Sequence, residues 1–290
     1  MLMSLEAMPF SFQSQRLALG VEFVDALRNR EPRPALRVEI ERESPHKTPL
    51  PKDSYAFMQV GNRMPEAMTR HSSGRYSLCY HAGIAAALDL RIYDRSMQFL
   101  PRRLRVPLQT LADVLAIESA ESLDFFSARV RRITLFPDNA YHLGGGETGL
   151  RGRVLRAGLP MRWAFVEARA MATDAVVMRA RTNQHGEFLL VLPPQATPAS
   201  DLAATFSLRL SVAGPAVAPV PITSALPAQD NLWDVPQELL PAAGLPDTVA
   251  TGEAFPSGFI TALSTVRTVS FASGRLLTGR DEADFNFVFP

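Results

Sequence analysis

The chain has 290 residues, with 30 lysines and arginines against 29 aspartates and glutamates, for a formal net charge of +1. So even a balance leaves no field to hold nucleic acid or an acidic membrane surface non-specifically, and neither is expected as a partner. A single cysteine, Cys79, excludes an intramolecular disulfide framework, while 23 prolines and 17 glycines favour many short strands over long helices.

Residues 1–15 form an N-terminal arm rich in Met and Phe, without clear periodicity. The opening MLMSLEAMPFSFQSQRLALG lacks the basic start, continuous apolar run and small-residue cleavage site of a secretory signal. No run of 18 apolar residues offers a membrane span. The expected location is the cytoplasm, alone or within an assembled or released particle. Leu17–Asp25 and Ala35–Arg42 then read as strands, the second alternating Leu36, Val38 and Ile40 against Arg37, Glu39 and Glu41. A loop rich in proline and charge, Glu43–Ser54, leads to further strands at Tyr55–Val60, Ala67–Arg70, Arg75–His81, Ala87–Tyr93 and Arg103–Leu108. Residues 16–108 are the first expected β-sandwich. Gln109–Val130 fits a short helix or strands equally and is taken as a connector. Strand pattern resumes at Arg131–Pro137, followed by the Gly-rich loop Tyr141–Gly149.

From Leu150 to Pro194 the pattern is clearest. Strands at Leu150–Leu155, Arg162–Arg169, Ala175–Ala180 and Glu187–Leu192 are separated by turns at Ala157–Pro160 and Asn183–Gly186. Gly152-x-Val154, Gly158-x-Pro160, Ala164-x-Val166 and Thr182-x-x-x-Gly186-x-Phe188 resemble the carboxypeptidase regulatory-like domain, a transthyretin-like β-sandwich. The resemblance spans about Val130 to Leu226. It implies a fold and says little of function, because this module serves as spacer, ligand platform or assembly unit. A second domain is therefore expected over 131–226, with 227–290 an extended C-terminal assembly segment.

An internal repeat links the two halves. Gly20-Val-Glu-Phe-Val aligns with Gly152-Arg-Val-Leu, and the strand after Pro34 with the strand after Pro160. The stretch around Gly74 aligns with the one around Gly186, each with an aromatic two residues on, Tyr76 and Phe188. A glycine there permits a hairpin turn with positive φ, and the aromatic after it points inward. The fold class is thus all-β: two tandem transthyretin/Ig-like antiparallel sandwiches with an extended C-terminal segment.

Residues that could carry chemistry do not combine into a recognisable site. Gly144–Gly149 lacks the Gly-Lys-Ser/Thr ending of a phosphate-binding loop and precedes a strand. His46, His71, His81, His142 and His185 show no ligand pair at helical spacing. There is also no His-x-x-Glu of the kind a carboxypeptidase-type zinc centre needs. Cys79 and His81 share a strand face without a third orienting group. Glu39, Glu41, Asp281, Glu282 and Asp284 read as solvated charge. Arg102, Arg103, Arg105, Arg129, Arg131 and Arg132 read as solvated strand edges that discourage wrong pairing. No catalytic, metal or cofactor-binding residue is assigned, and no cofactor is expected. The stripe Phe285, Phe287 and Phe289 must be buried somewhere, either on its own sandwich or as a strand added to a neighbour. It supplies the candidate assembly contacts. The expected function is a non-enzymatic structural protein, a homo-oligomer or one subunit among others. By architecture it resembles components of phage tails and contractile injection particles. The alternative is a module binding carbohydrate or peptide on loops such as Tyr141–Thr148.

Overall fold

The computed structural model describes residues 16–41, 68–81, 83–120, 129–193, 205–218, 232, 234–278 and 285–290. The expected strand at Tyr55–Val60 lies outside them. The fold is all-β, with both antiparallel and parallel pairing. The first body contains β1 (Leu17–Asp25), β2 (Leu36–Glu41), β3 (Thr69–Arg70), β4 (Tyr76–Cys79), β5 (Ala87–Asp94) and β6 (Arg102–Pro107). After helix α1 (Leu111–Ser119) comes β7 (Val130–Leu135). One sheet runs β3-β4-β1-β7 and the other contains β6-β5-β2. Their alternating apolar residues meet in one core: Leu19, Val21 and Phe23 from β1, Val38 and Ile40 from β2, Leu90 and Ile92 from β5.

The second body begins with β8 (Gly149–Arg156), β9 (Leu159–Pro160), β10 (Phe165–Ala170), β11 (Val176–Arg181), β12 (Glu187–Val191) and β13 (Thr205–Pro215). Then come β14 (Gln237–Leu239), helix α2 (Thr248–Thr251), β15 (Phe259–Ala272), β16 (Leu276–Thr278) and β17 (Asn286–Phe289). One sheet runs β11-β10-β13-β15; in the other, β8 pairs with β12, β16, β17 and β9. Leu150, Val154, Val166, Leu210, Phe271 and Phe287 belong to its core.

The two bodies repeat one pattern of pairings. Antiparallel β1–β4, β2–β5 and β5–β6 correspond to β8–β12, β10–β13 and β13–β15. A parallel strand then joins β1 or β8 on its other side: β7 in the first body, β16 and β17 in the second. The order differs at one place. β3 pairs with β4, whereas β11 pairs with β10 and reaches β12 only through a bridge between Thr182 and Phe188.

The turns holding Gly74 and Gly186 close with the same bonds. The His71 amide donates to the Arg75 carbonyl and Gly74 to His71, as Asn183 donates to Glu187 and Gly186 to Asn183. Both glycines have positive φ, 78° and 70°. Tyr76 and Phe188 are buried two residues on, Tyr76 donating its hydroxyl to the Leu36 carbonyl at 2.8 Å. The glycines differ in what surrounds them. A Cβ on Gly186 would lie 2.6 Å from the Val154 carbonyl oxygen, whereas one on Gly74 would meet the movable Glu31 carboxylate. Both alanine variants carry a left-handed penalty of about 1–2 kcal/mol. Gly186→Ala should therefore lower the urea midpoint more than Gly74→Ala, and equal shifts would contradict the placement of the Val154 carbonyl.

Several expectations are corrected. The sheets are mixed, because long connections return β7, β14, β16 and β17 in the same direction as their neighbours. The connector 109–130 contains α1, opened by a capping box between Thr110 and Asp113. Its last residue opens β7, which completes the first body and not the second. A boundary at 226 does not divide the second body from the C-terminal segment, since β15, β16 and β17 belong to its sheets and core. The strand expected from Arg162 begins at Phe165, because Trp163 takes a left-handed φ of 62°.

Candidate functional site

Between β13 and β15 the chain leaves the second body, crosses to the first and returns. On the way β14 pairs in parallel with β6, setting Glu238 opposite Leu104. The sequence that does this, Val235-Pro-Gln-Glu-Leu-Leu240, combines apolar anchors with one carboxylate. Val235 and Leu240 are buried, and so is Glu238, at 0% exposure. Arg102 from β6 and Arg181 from β11 converge on it. Arg102 Nε donates to Glu238 Oε1 at 3.2 Å and Arg102 Nη2 to Oε2, while Arg181 Nη1 donates to Oε1 at 2.7 Å. Arg102 also donates to the carbonyls of Thr134, Ala250 and Val249. Burial alone would raise the Glu238 pKa. The two guanidiniums, Arg102 first, outweigh it and hold the carboxyl below its ordinary range.

Around this triad the crossing is fastened repeatedly. Trp163 Nε1 donates to Asp234 Oδ1 at 2.9 Å, and Arg131 donates to the Pro241 carbonyl and pairs with Asp247. Arg179, held by Glu167, donates to the Gly252 carbonyl. Leu100, Phe136, Trp163, Phe165, Ala213 and Val235 fill the space between the bodies. Arg102, Arg129 and Arg131 are therefore buried, not solvated edge residues, while Arg105 and Arg132 are exposed. A guanidinium can be buried where several carbonyls and a carboxylate receive its donors, and for Arg102 they do. Glu39 and Glu41 are corrected in the same way. Glu39 is buried beside Tyr93, and burial raises its pKa. Burial also acts to raise that of Glu41, but bonds from Arg103 and the charge of Arg91 bring it below normal.

Phe287 and Phe289 are 0% and 1% exposed, in the second core of this same chain, with Phe285 packed against it. Phe287 meets Phe188 at 5.9 Å between ring centroids. Phe287 and Phe289 are buried because β17 pairs with β8, so they pack on this chain's own core. His71 accepts a bond from the Ser73 amide within its own turn, and His81, His142 and His185 are exposed. Among the described residues no three His, Cys, Asp or Glu side chains gather closely enough to hold a metal ion. His46, Asp281, Glu282 and Asp284 lie outside the described residues.

The loop Tyr141–Thr148 borders a cleft of about 240 Å³ lined by Leu27, Arg28, Glu147, Met178 and Leu192 among others. Tyr141 anchors the loop, donating its hydroxyl to Asp25 Oδ2 at 2.6 Å with the Arg28 guanidinium 5.3 Å above its ring. Burial, reinforced by Asp25, pushes the Tyr141 pKa well above normal. Thr148 Oγ1 accepts from the Gly274 amide, which ties the loop to the turn between β15 and β16. Glu147 Oε2 is buried at this cleft without a hydrogen-bond partner.

At the end of one sheet of the second body, β15 is an edge strand of 14 residues, paired on one side only among the described residues. Its register with β13 breaks between Val212 and Leu210, so a bulge forms. Thr265 closes it, accepting from the Val212 amide and donating to the Ala262 carbonyl. Leu263 stands out from the bulge at 84% exposure, flanked along the strand by Ile260 at 48% and Val266 at 39%. An exposed leucine there follows from the chain's geometry, but the sequence reads simply as strand.

No helix among the described residues is long and apolar enough to cross a membrane. No family model matches the chain, and no curated protein matches it. Among solved structures, the Bacillus anthracis TIE protein aligns over 91% of this chain at 8% identity with a TM-score of 0.22. The alignment spans 33% of that protein's length.

Proposed function

We propose that this chain is a non-enzymatic structural subunit that joins a larger assembly through the outer edge of β15. In this reading the two bodies are tandem transthyretin-like sandwiches of the carboxypeptidase regulatory-like kind, and the assembly is of the phage-tail or contractile-injection type. The observation that carries it is the 14-residue edge strand with Leu263, Ile260 and Val266 exposed along it. A long edge with exposed apolar side chains invites strand addition. The bulge makes such addition selective, because a partner must fit the protruding Leu263 as well as pair with the straight runs beside it. Leu263→Asp should leave the urea midpoint nearly unchanged, within about 0.5 kcal/mol, since the side chain is exposed. It should abolish the oligomers that native mass measurement is expected to show for the unaltered chain. A monodisperse wild-type monomer at micromolar concentration in the presence of its particle fraction, or oligomers indifferent to L263D, would overturn the reading.

The cleft at Tyr141–Thr148 supports a second reading, a module that binds carbohydrate or peptide. It offers apolar walls from Leu27, Met178 and Leu192 with the charges of Arg28 and Glu147. Calorimetric titration with glycan and peptide panels tests it: saturable heat lost in Glu147→Gln favours this reading over assembly.

A further inference from the structure

Helix α1 buries a single side chain, Val114. Leu111 and Leu115, one helical turn apart on the same side, are 43% and 42% exposed. Beside them lies a groove of about 480 Å³, lined by Tyr80, Ile84, Ala85, Ala86, Leu108 and Leu111 among others. The groove is firm at its base, because the Tyr80 hydroxyl donates to the Gln109 carbonyl at 2.8 Å. An apolar groove continuous with an apolar helix face is a surface made to be covered.

The chain itself delivers a cover to this place. The Tyr80 amide donates to the Arg16 carbonyl at 2.9 Å, which carries the antiparallel pairing of β1 and β4 one step beyond Leu17 and Cys79. The residues before Arg16 therefore set out from the point where the groove begins. Arg16 is also fixed to α1, its Nε 2.9 Å from Glu118 Oε2 in the last turn. The sequence preceding it, MLMSLEAMPFSFQSQ, brings Leu2, Met3, Leu5, Met8, Phe10 and Phe12 with one charge, Glu6. Fully extended, fifteen residues reach roughly 50 Å. The rise from Leu111 to Glu118 along the helix is only about 10 Å. A tethered segment acts at an effective concentration in the millimolar range, well above that of the same segment on another copy.

We propose that the groove between Tyr80–Ala86 and α1 receives the chain's own residues 1–15, with apolar side chains of the arm against Leu111 and Leu115. The arm is then an intrachain cover for a face left exposed among the described residues.

Hydrogen exchange on the full chain tests this directly. Amides within residues 2–12 should exchange at least about tenfold more slowly than in the free peptide MLMSLEAMPFSFQSQ. The double variant Leu111→Glu with Leu115→Glu changes only exposed side chains and should leave exchange in β1, β5 and β8 as it was. It should return the arm to the free-peptide rate. Phe10→Asp with Phe12→Asp should do the same from the other side of the contact. Free-peptide exchange in the unaltered chain would overturn the proposal, as would protection insensitive to both pairs of substitutions. Protection that disappears on tenfold dilution would also overturn it, by assigning the arm to another copy of the chain.

Discussion

Glu238→Ala should destabilise the protein by about 3–5 kcal/mol, the loss expected when one member of a buried ion group is removed. Without Glu238, Arg102 and Arg181 would be left as two like charges at 1% exposure apiece, without the carboxylate they share. Typical domains hold on the order of 5–15 kcal/mol in all, so the variant should sit near the edge of folding at 37 °C. Urea unfolding monitored by tryptophan fluorescence checks this, and a loss below about 1 kcal/mol would show that the triad is idle. The same group predicts a pH dependence. Because the folded state holds the Glu238 carboxyl below its ordinary value of 4.5, its contribution is complete above that value. It is lost as pH falls through the folded value. Wild-type stability should therefore decline on acidification over this range, and Glu238→Gln should decline less. Replacing Arg102, Glu238 and Arg181 together by apolar residues of similar volume should cost far less than E238A, because it removes all three desolvation penalties at once.

A chain ending at Gly258 should fail to form the second body. It would lose β15, with ten residues registered against β13, and Phe271, Phe287 and Phe289, each 0–1% exposed. Those three side chains alone contribute roughly 1.5–3 kcal/mol each by burial. Their loss would also bare one side of β13 and of β8, two strands with unsatisfied edges in aggregation-prone company. The expected result is insoluble protein, or soluble protein whose circular dichroism melt lacks a cooperative transition. A truncated chain with a sharp melt near that of the wild type would refute the assignment of β15–β17 to the core.

Local rules govern how much of the fold is legible in the sequence. The apolar run Leu17–Asp25 reads as a strand, and β1 has those bounds. The turns at Gly74 and Gly186 carry their own chemistry in positive φ, so their likeness is written in the residues themselves. Helix α1 is ambiguous in sequence because Leu111, Val114, Leu115 and Ile117 fit a short helix and strands alike. Its box uses Thr110 with Asp113 where glutamate or glutamine is the commoner signal. Parallel pairing leaves no local mark, since β17 meets β8 only after more than half the second body has intervened. The alternation of Phe285, Phe287 and Phe289 announces burial without saying against what. Glu238 is the hardest to see: it stands in a proline-punctuated stretch, and its partner Arg102 is 136 residues away.

The crossing segment has a consequence for how the molecule is made. β14 seals the edge of β6, yet it is synthesised after β13, so the earlier body waits for its outer strand until most of the later one has left the ribosome. Neither body is a finished unit that can be born, mature and be set aside before the other. Contacts that close loops of this length form late and slow the search for the native state. The nascent chain therefore carries an incomplete first body through much of translation, and completion of the two is a single event in time.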